Sequence, residues 1–281
     1  MECDTEKEMQ KLFPDEKLIL TDIKSVDDKR AYVSKIAPED KLVVVGGDGT
    51  LNHFVNGIDD IEYPFPIYCY AGGTGNDFIN DVLGKNSDGL VMINDYIRDL
   101  PEIYVDGEKY RFLNGVGFGI DGYCCAECAR YKETHNGKSP NYTKIALKGL
   151  FGAFKMVSAS VTIDGVTENY DKVWMVPTMN GRYFGAGMMI TPDQDRLNEA
   201  HEISCAVVRC RSRLRLLTLF PKIFNGSHTK YEKVITIQKC KEVTVEFDRP
   251  TALQIDGETV PNVKTYTAKS AIAAKKSACV I

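Results

Sequence analysis

Apolar and polar residues follow two different patterns along the chain, and the change comes near residue 100. In the first third, the short apolar runs Lys41 to Val45 and Pro66 to Tyr70 predict strands buried in a parallel sheet, and Leu18 to Ile23 predicts another strand. Segments with helical spacing lie between these runs, and strands that alternate with helices predict a doubly wound α/β domain. The predicted helices cover Glu6 to Phe13, Asp27 to Ile36, Leu51 to Gly57 and Asp77 to Leu83.

From Glu102 onward, short strand patterns predominate, interrupted by few helical segments. Asp-Gly turns at 106–107 and 164–165 predict two-residue hairpins, and a strand is predicted over Lys109 to Gly117. Helices are predicted at Ala126 to Tyr131, Lys144 to Met156 and Arg213 to Phe224. The predicted fold is therefore α/β + β: an α/β domain over residues 1–100, then an antiparallel, β-sandwich-like domain over 101–267. The tail 268–281 is a candidate to return to the first domain.

Composition narrows the functional classes. The 281 residues are 43% hydrophobic and 26% charged with a net charge of −4, which is typical of a globular protein and does not favour nucleic-acid binding. Nine scattered cysteines predict reduced thiols and no disulfide framework. We find neither a signal peptide nor an apolar stretch that could cross a bilayer, so we expect a cytoplasmic protein.

The first feature that indicates chemistry is a glycine-rich turn between a buried strand and a helix. Residues Gly46 to Thr50 read GGDGT, and such a turn brings backbone N–H groups against a phosphate at the positive end of the helix. Asp48 at its apex fits a carboxylate that holds Mg²⁺ on a nucleotide, or a base. The alternative is a simple turn in which Asp48 and Thr50 cap the helix.

A second glycine-rich turn follows one strand–helix unit later, at Gly72 to Asp77. Because the carboxyl ends of parallel strands meet at one edge of a sheet, both turns are expected to face the same crevice. The two turns together predict a nucleotide-binding cradle between the two domains.

These turns, with three later blocks, resemble the diacylglycerol kinase catalytic-domain family, which includes bacterial lipid kinases and sphingosine kinases. The later blocks are Asn114 to Asp121, Asn180 to Met188, with Ala186 in place of a glycine, and Asp256 to Glu258. The resemblance implies an ATP- and Mg²⁺-dependent kinase that transfers the γ-phosphoryl group to a lipid hydroxyl, with diacylglycerol giving phosphatidic acid. It further implies peripheral contact with the inner membrane surface, no nucleic-acid partner, and leaves a homodimer open.

The resemblance also implies a role for individual residues. Glu258 would be the general base, with Asp256 beside it and Asp48 at the phosphates. The alternative is an exposed hairpin, because Asp-Gly-Glu is also a common turn sequence. A structural metal loop would use Glu199 with the backbone carbonyls of Arg196 and His201. The implied nucleotide-binding residues are Thr21, Gly46, Gly47, Asp48, Gly49, Thr50, Leu51, Asn52, His53, Gly73, Thr74, Gly75, Asn76 and Asp77.

One departure from the family pattern and several alternatives stay open at this point. The family begins with a strand that ends in Asn-Pro-x-x-Gly, and this sequence opens in the helix expected after it, so we expect the first strand to be missing. A kinase acting on NAD shares the GGDGT turn, and a non-catalytic regulator that binds nucleotide or lipid is the other alternative. The basic and apolar segment Arg209 to Phe224 fits either a membrane-docking helix or a helix that packs on the sheet.

Overall fold

The N-terminal part of the protein is a three-stranded sheet flanked by helices. The computed structural model describes residues 2–73, 76–84, 89–137 and 140–272. Strands β1 (Leu42–Gly46) and β2 (Ile67–Ala71) are parallel, and β3 (Leu90–Met92) pairs antiparallel with β2. The helices of this part are α1 (Glu2–Leu12), α2 (Lys29–Val33), α3 (Asp48–Asn56), α4 (Asp77–Leu83) and α5 (Asn94–Arg98).

Apolar spacing explains why α3 and α4 cover this sheet. Leu51, Phe54 and Val55 of α3 and Phe78 and Ile79 of α4 are almost fully buried in one core. Burying each such side chain stabilises the fold by about 1.5–3 kcal/mol. Because each helix begins just beyond the end of a strand, the loops at 46–48 and 71–77 are held at the same edge of the sheet.

One prediction for this part was wrong. The strand predicted at Leu18 to Ile23 does not form: residues 18–22 are irregular, and Ile23–Ser25 is a 3₁₀ turn. Ile19 is 79% exposed and Leu20 is 50% exposed, and no strand of the described residues pairs with them. The parallel pairing of β1 with β2 is as predicted, whereas β3, which runs against β2, was not predicted.

The C-terminal part is an antiparallel sheet of ten strands that closes on itself. Strand order is β5-β4-β15-β14-β6-β9-β12-β8-β7, β13 adds to β12, and β7 pairs back onto β14. The separate hairpin β10–β11 follows β9. The strands are β4 (Glu102–Val105), β5 (Glu108–Arg111), β6 (Gly115–Phe118), β7 (Val157–Ile163), β8 (Val166–Met175), β9 (Thr178–Met179), β10 (Tyr183–Phe184), β11 (Met188–Met189), β12 (Ile203–Arg209), β13 (Ile235–Cys240), β14 (Glu242–Ile255) and β15 (Glu258–Lys269).

Two apolar clusters stabilise this part. Inside the closed sheet, the rings of Phe118 and Phe247 stack with centroids 3.8 Å apart and Tyr266 meets Phe118 edge-on. Outside it, helices α6 (Ile120–Thr134), α7 (Tyr142–Lys148) and α8 (Arg213–Ile223) pack around Trp174. The predicted hairpins at 106–107 and 164–165 are confirmed, with positive φ at both residues of each turn.

Two further predictions needed correction. The helix predicted over Lys144 to Met156 ends at Lys148, and a π-helical turn (Gly149–Ala153) follows, in which Gly152 has φ 139°. The strand predicted over Lys109 to Gly117 is interrupted at 112–114, where backbone amides serve a buried carboxylate described below. Residues 268 and 269 of the tail continue β15, and residues 273–281 lie outside the described residues. None of the helices described is both long enough and apolar enough to cross a membrane.

Candidate active site

The two glycine-rich turns lie against each other, backbone to backbone. The amide of Gly72 donates to the carbonyl of Gly46 at 3.0 Å. A Cβ atom placed on Gly73 would lie 2.5 Å from the Cα of Gly47, a separation that no side chain tolerates. Glycine at 73 is therefore required for the turns to meet, and they form one surface at the carboxyl ends of β1 and β2. Thr74 and Gly75, two of the predicted nucleotide-binding residues, lie outside the described residues.

Asp48 connects the first turn to the helix that follows the second. Its carboxylate accepts hydrogen bonds from the amides of Asp77 at 2.8 Å and Phe78 at 2.9 Å. These are the first amides of α4, where unpaired N–H groups and the helix dipole favour a negative charge. Asp48 therefore caps the neighbouring helix, a role that the sequence did not predict for it.

Asp77 continues this chain of contacts into the C-terminal part. Its carboxylate accepts hydrogen bonds from the amides of Ala186 at 2.9 Å and Gly187 at 2.7 Å, in the turn between β10 and β11. Burial, followed by the charge of Asp48, raises the pKa of Asp77 to about 7. Ala186 has φ 65°, a conformation that glycine adopts more easily, which explains why the family pattern has glycine there.

Asp256 is buried, and its hydrogen bonds hold the loop 112–115 and α3 in place. Its carboxylate accepts hydrogen bonds from the amides of Leu113, Asn114 and Gly115 and from the Asn52 side chain at 2.7 Å. Burial raises the pKa of this carboxyl, although the four donors oppose the shift. Because its oxygens are occupied by these donors, we assign Asp256 to positioning of the loop 112–115 and α3.

Glu258 occupies a different environment two residues later. Asp256 and Gly257 form the tight turn between β14 and β15, with φ of 47° and 94°, and Glu258 is exposed beyond it. Its Oε1 lies 3.6 Å from the position that a Cβ atom on Gly49 would occupy. The carboxylate of the β domain thus faces the first turn of α3 and the glycine-rich turn before it.

The other predicted nucleotide-binding residues differ in their surroundings. Thr50 packs on Gly46, where an added Cβ atom would come within 2.6 Å of the Thr50 Cβ. Leu51 is buried in the core, and His53 is exposed on α3. The Asn76 side chain donates to the carbonyl of Gly73 at 3.0 Å and so braces the second turn. Thr21 does not end a strand, and its hydroxyl is 2.9 Å from that of Tyr32.

Sequence reasoning missed an ion-pair cluster beneath the site. Asp81 on α4 is almost fully buried and binds the guanidinium groups of both Arg182 and Arg196, with N···O distances of 2.5 Å. Arg196 also donates to the Leu113 carbonyl and to the Asn114 side chain. Arg182 and Arg196 lie 101 and 115 positions from Asp81 in the sequence. The sequence singled out Arg182 only as part of the block at 180–188 and Arg196 only as a residue of the metal loop, so their shared partner was not found.

The loop predicted to bind a structural metal is held by side-chain amides. Asn198 accepts from the amide of Glu202 and donates to the carbonyls of Asp195 and Glu202, and Gln194 donates to the same two carbonyls. The Arg196 side chain points into the ion-pair cluster, and no three His, Cys, Asp or Glu side chains of the described residues are grouped to bind a metal. These side chains do not form a metal site by themselves. The site predicted at Glu199, with the backbone carbonyls of Arg196 and His201, uses only one side chain and stays a prediction.

An apolar cavity is linked to the Asp256–Glu258 turn by two hydrogen bonds of Gln254. Its volume is about 50 Å³, and α6, α7, α8 and the buried Trp174 line it. Asp121 is its polar end: Tyr142 donates to the Asp121 carboxylate at 2.7 Å and Gln254 donates to it at 2.8 Å. Gln254 in turn accepts the amide of Gly257 at 2.7 Å, so one side chain links the cavity to the turn that carries Glu258.

Comparison with known proteins decides the family. Residues 4–99 match the diacylglycerol kinase catalytic domain, and residues 114–271, more than half of the chain, match the YegS C-terminal NAD kinase beta sandwich-like domain. The chain belongs to the diacylglycerol kinase family. All five sequence blocks that suggested this family contribute to the one connected set of contacts described above.

Members of the diacylglycerol kinase family from several bacteria resemble this chain at modest identity. A diacylglycerol kinase of Mycobacterium tuberculosis is 27% identical over 214 residues, which are 74% of this chain and 67% of that protein. YtlR of Bacillus subtilis, provisionally named a lipid kinase, is 26% identical over 234 residues, 78% of this chain and 74% of its own. A diacylglycerol kinase structure from Bacillus anthracis superposes with a TM-score of 0.59 at 18% identity, over 90% of this chain and 82% of that one, which shows a shared fold.

Proposed function

We propose that this protein is an ATP-dependent lipid kinase that transfers the γ-phosphoryl group to a lipid hydroxyl, with diacylglycerol as substrate and phosphatidic acid as product. One observation carries the proposal: the Glu258 carboxylate faces Gly49 at the glycine-rich turn, and hydrogen bonds through Gln254 and Asp121 link its own turn to an apolar cavity. A phosphate-binding surface, a carboxylate and an apolar cavity are what lipid phosphorylation requires in one place.

The joined glycine-rich turns supply the nucleotide side of this site. Their backbone N–H groups and the N-terminus of α3 attract the phosphates of ATP without interference from side chains. No three ligating side chains are grouped among the described residues, so a magnesium ion would arrive with the nucleotide and use one or two carboxylates together with the substrate phosphates. Each Asp48 oxygen accepts one amide and keeps a second lone pair, so Asp48 is the carboxylate that would hold the ion, which would supply positive charge that neutralises the phosphate oxygens. Glu258 is then left for proton transfer.

Glu258 performs the proton transfer in this proposal. It removes the proton from the lipid hydroxyl as that oxygen forms a bond to the γ-phosphorus, while the bond from the γ-phosphorus to the bridging oxygen of ADP breaks. The products are a phosphorylated lipid, ADP and a proton on Glu258 that passes to water. Gln254, Asp256 and Asn52 keep the turn and α3 in place during this transfer.

In this proposal the apolar cavity binds the lipid substrate. Its walls are apolar, and the Asp121–Tyr142 pair forms a polar end at which a hydroxyl or ester group of a lipid can be recognised. At about 50 Å³ it is smaller than the roughly 300 Å³ or more of typical ligand sites, so α7 and α8 must move apart to admit an acyl chain. We further propose that the enzyme works from the cytoplasm at the inner membrane surface, where such lipids are found.

The decisive experiment compares wild type with Glu258→Gln in assays with radiolabelled ATP. Diacylglycerol, other lipid hydroxyl acceptors and NAD are offered separately. We expect a radiolabelled lipid from wild type, and a fall in kcat by a factor of about 10²–10⁴ for Glu258→Gln with ATP binding retained. Glu232→Gln, a similar change at an exposed glutamate, should leave turnover unchanged.

Three results would count against the proposal. Labelled NADP from NAD would indicate the NAD kinase alternative. ATP binding without transfer to any acceptor would indicate a non-catalytic regulator. Full turnover by Glu258→Gln would remove Glu258 from the mechanism.

A further inference from the structure

Two adjacent segments form one face next to the apolar cavity: residues 142–156, with α7 and the π-helical turn, and residues 209–224, with α8. Arg213 fastens them together, because its guanidinium donates to the carbonyls of Leu150 at 2.7 Å and Phe154 at 3.4 Å and lies over the Trp174 ring. We call the outer surface of these segments the basic apolar face. Its exposed basic and large apolar side chains are Lys144, Lys148, Phe151, Lys155, Arg211, Leu214 and Arg215.

The charge of this face is opposite to that of the whole protein. The chain has 39 acidic and 35 basic residues and a net charge of −4, yet neither segment contains an aspartate or a glutamate. Glu127 of α6 approaches the edge of the face, 4.0 Å from the Lys148 ammonium. The basic residues of the two segments are Lys144, Lys148, Lys155, Arg209, Arg211, Arg213, Arg215 and Lys222. Such a local excess of positive charge favours an anionic partner.

Two large apolar side chains project from the same face. Phe151 is 70% exposed on the π-helical turn, and Leu214 is 75% exposed at the start of α8. Exposed apolar groups surrounded by lysine and arginine match the composition of surfaces that enter the headgroup region of a bilayer.

The face is continuous with the cavity behind it. Leu150, next to Phe151, lines the cavity, and so does Leu216, two residues beyond Leu214. An acyl chain that left a bilayer at this face would reach the cavity without crossing bulk water. This continuity identifies a lipid surface as the occupant, since a soluble protein or a nucleic acid would have no use for it.

We propose that the basic apolar face docks on a bilayer rich in anionic phospholipid, with Phe151 and Leu214 inserted at the boundary between headgroups and acyl chains. The inference rests on the proposed function, in which the cavity binds the lipid substrate. Separation of α7 from α8 at the docked face would then open the cavity toward the bilayer.

Vesicle flotation without ATP tests this surface separately from catalysis. We use vesicles of phosphatidylcholine alone and of equal parts phosphatidylcholine and phosphatidylglycerol. Wild type should bind the anionic vesicles, and added salt should weaken the binding. Arg211→Gln with Arg215→Gln should weaken it roughly thirtyfold, and Phe151→Ser with Leu214→Ser roughly tenfold or more.

Matched controls lie in the N-terminal part. Lys7→Gln with Lys35→Gln removes two exposed positive charges, and Ile19→Ser removes a side chain that is 79% exposed. Both should bind vesicles as wild type does. The face variants should also phosphorylate a short-chain diacylglycerol dispersed as monomers at the wild-type rate, because they leave the cavity and Glu258 unchanged.

The possible failures are distinguishable. Equal vesicle binding by wild type and both face variants, or no binding by wild type, would overturn the docking surface whether or not the enzyme is active. Loss of binding in the control variants as well would also overturn it, since the effect would not belong to this face. Vesicle binding through the face without phosphorylation of any lipid would reject the proposed function and keep the surface.

Discussion

The amide nitrogen of Asp77 lies 2.8 Å from the carboxylate of Asp48, so an acid from the first glycine-rich turn caps the helix that begins at the second. Asp77 then binds the amides of Ala186 and Gly187 in the C-terminal part. Through these hydrogen bonds the two carboxylates connect the two glycine-rich turns with the turn between β10 and β11, which is distant from them in sequence. Substitution of either residue should therefore change stability as well as activity.

Asp48→Ala should lower the free energy of unfolding by about 1–2 kcal/mol, because two amides of α4 lose their acceptor. Kinase activity should also be lost, since the first turn no longer fixes the start of α4 and the site loses the carboxylate that would hold the magnesium ion. Chemical denaturation and the radiolabelled assay measure the two effects. Asp28→Ala removes a comparable cap, from the amide of Ala31 at the start of α2, and should lower stability while activity is retained. An unchanged denaturation midpoint for Asp48→Ala would contradict the capping role.

Asp256→Asn and Glu258→Gln should separate positioning from catalysis. In the first variant an amide N–H₂ group faces backbone N–H donors in a buried site, and we expect a loss of about 2–4 kcal/mol in stability. In the second variant the side chain is exposed, so stability should change by less than about 0.5 kcal/mol while turnover falls. Equal stability of the two variants in urea would show that Asp256 does not hold the loop 112–115 and α3 in place.

Asp77 should make stability depend on pH. Its pKa is about 7 in the folded protein against 3.8 for the ordinary group, so the folded state holds this proton more tightly than the unfolded state does. The contribution of Asp77 is therefore most favourable below pH 4, decreases as the pH rises from 4 to 7, and is constant above that. The loss is on the order of 4 kcal/mol.

Asp77→Asn removes this titration. The free energy of unfolding of wild type, measured relative to that of the variant by urea denaturation, should fall between pH 4.5 and pH 8. If the difference in free energy of unfolding between wild type and Asp77→Asn is the same at pH 4.5 and at pH 8, Asp77 does not titrate in this range.

The loop at 191–202 should be stable without a metal. A chelator should leave the melting temperature of wild type unchanged, whereas Asn198→Ala should lower stability by about 1–3 kcal/mol because the carbonyls of Asp195 and Glu202 and the amide of Glu202 lose a partner. Thermal melts with and without a chelator measure both effects. A fall in the wild-type melting temperature on chelation, restored by Mg²⁺, would show that the metal site predicted at Glu199 exists.

Gln254→Ala should affect turnover more than lipid affinity. The variant loses the link between Asp121 and the amide of Gly257, so Glu258 is held less firmly. The apolar walls of the cavity and the hydrogen bond from Tyr142 to Asp121 are unchanged. We expect kcat to fall about tenfold with the KM for lipid nearly constant. Gln238→Ala on β13, where the side chain is exposed, is the matched control. A rise in KM with kcat unchanged would place Gln254 in lipid binding instead.

Local signals in the sequence predicted much of the fold. Apolar runs followed within two residues by glycine identified β1 and β2, and helix α4 was predicted with the observed ends, Asp77 to Leu83. The Asp-Gly pairs identified two hairpins, because only certain residues accept positive φ at both positions of such a turn. The failures came where a partner decides the structure: Leu18 to Ile23 has strand composition but no paired neighbour, and the amides at 113–115 bind a carboxylate instead of a strand.

The sequence by itself determined which residue types surround the candidate site, since glycines, carboxylates and amides appear in five recognisable blocks. It could not determine what each carboxylate does. Asp48, Asp77, Asp256 and Glu258 have the same chemical group, and only the fold makes one a helix cap, two of them buried acceptors of amides, and one an exposed acid beside Gly49. The physical reason is that the environment of a charge comes from groups distant in sequence, such as Asn52, which lies 204 positions from Asp256.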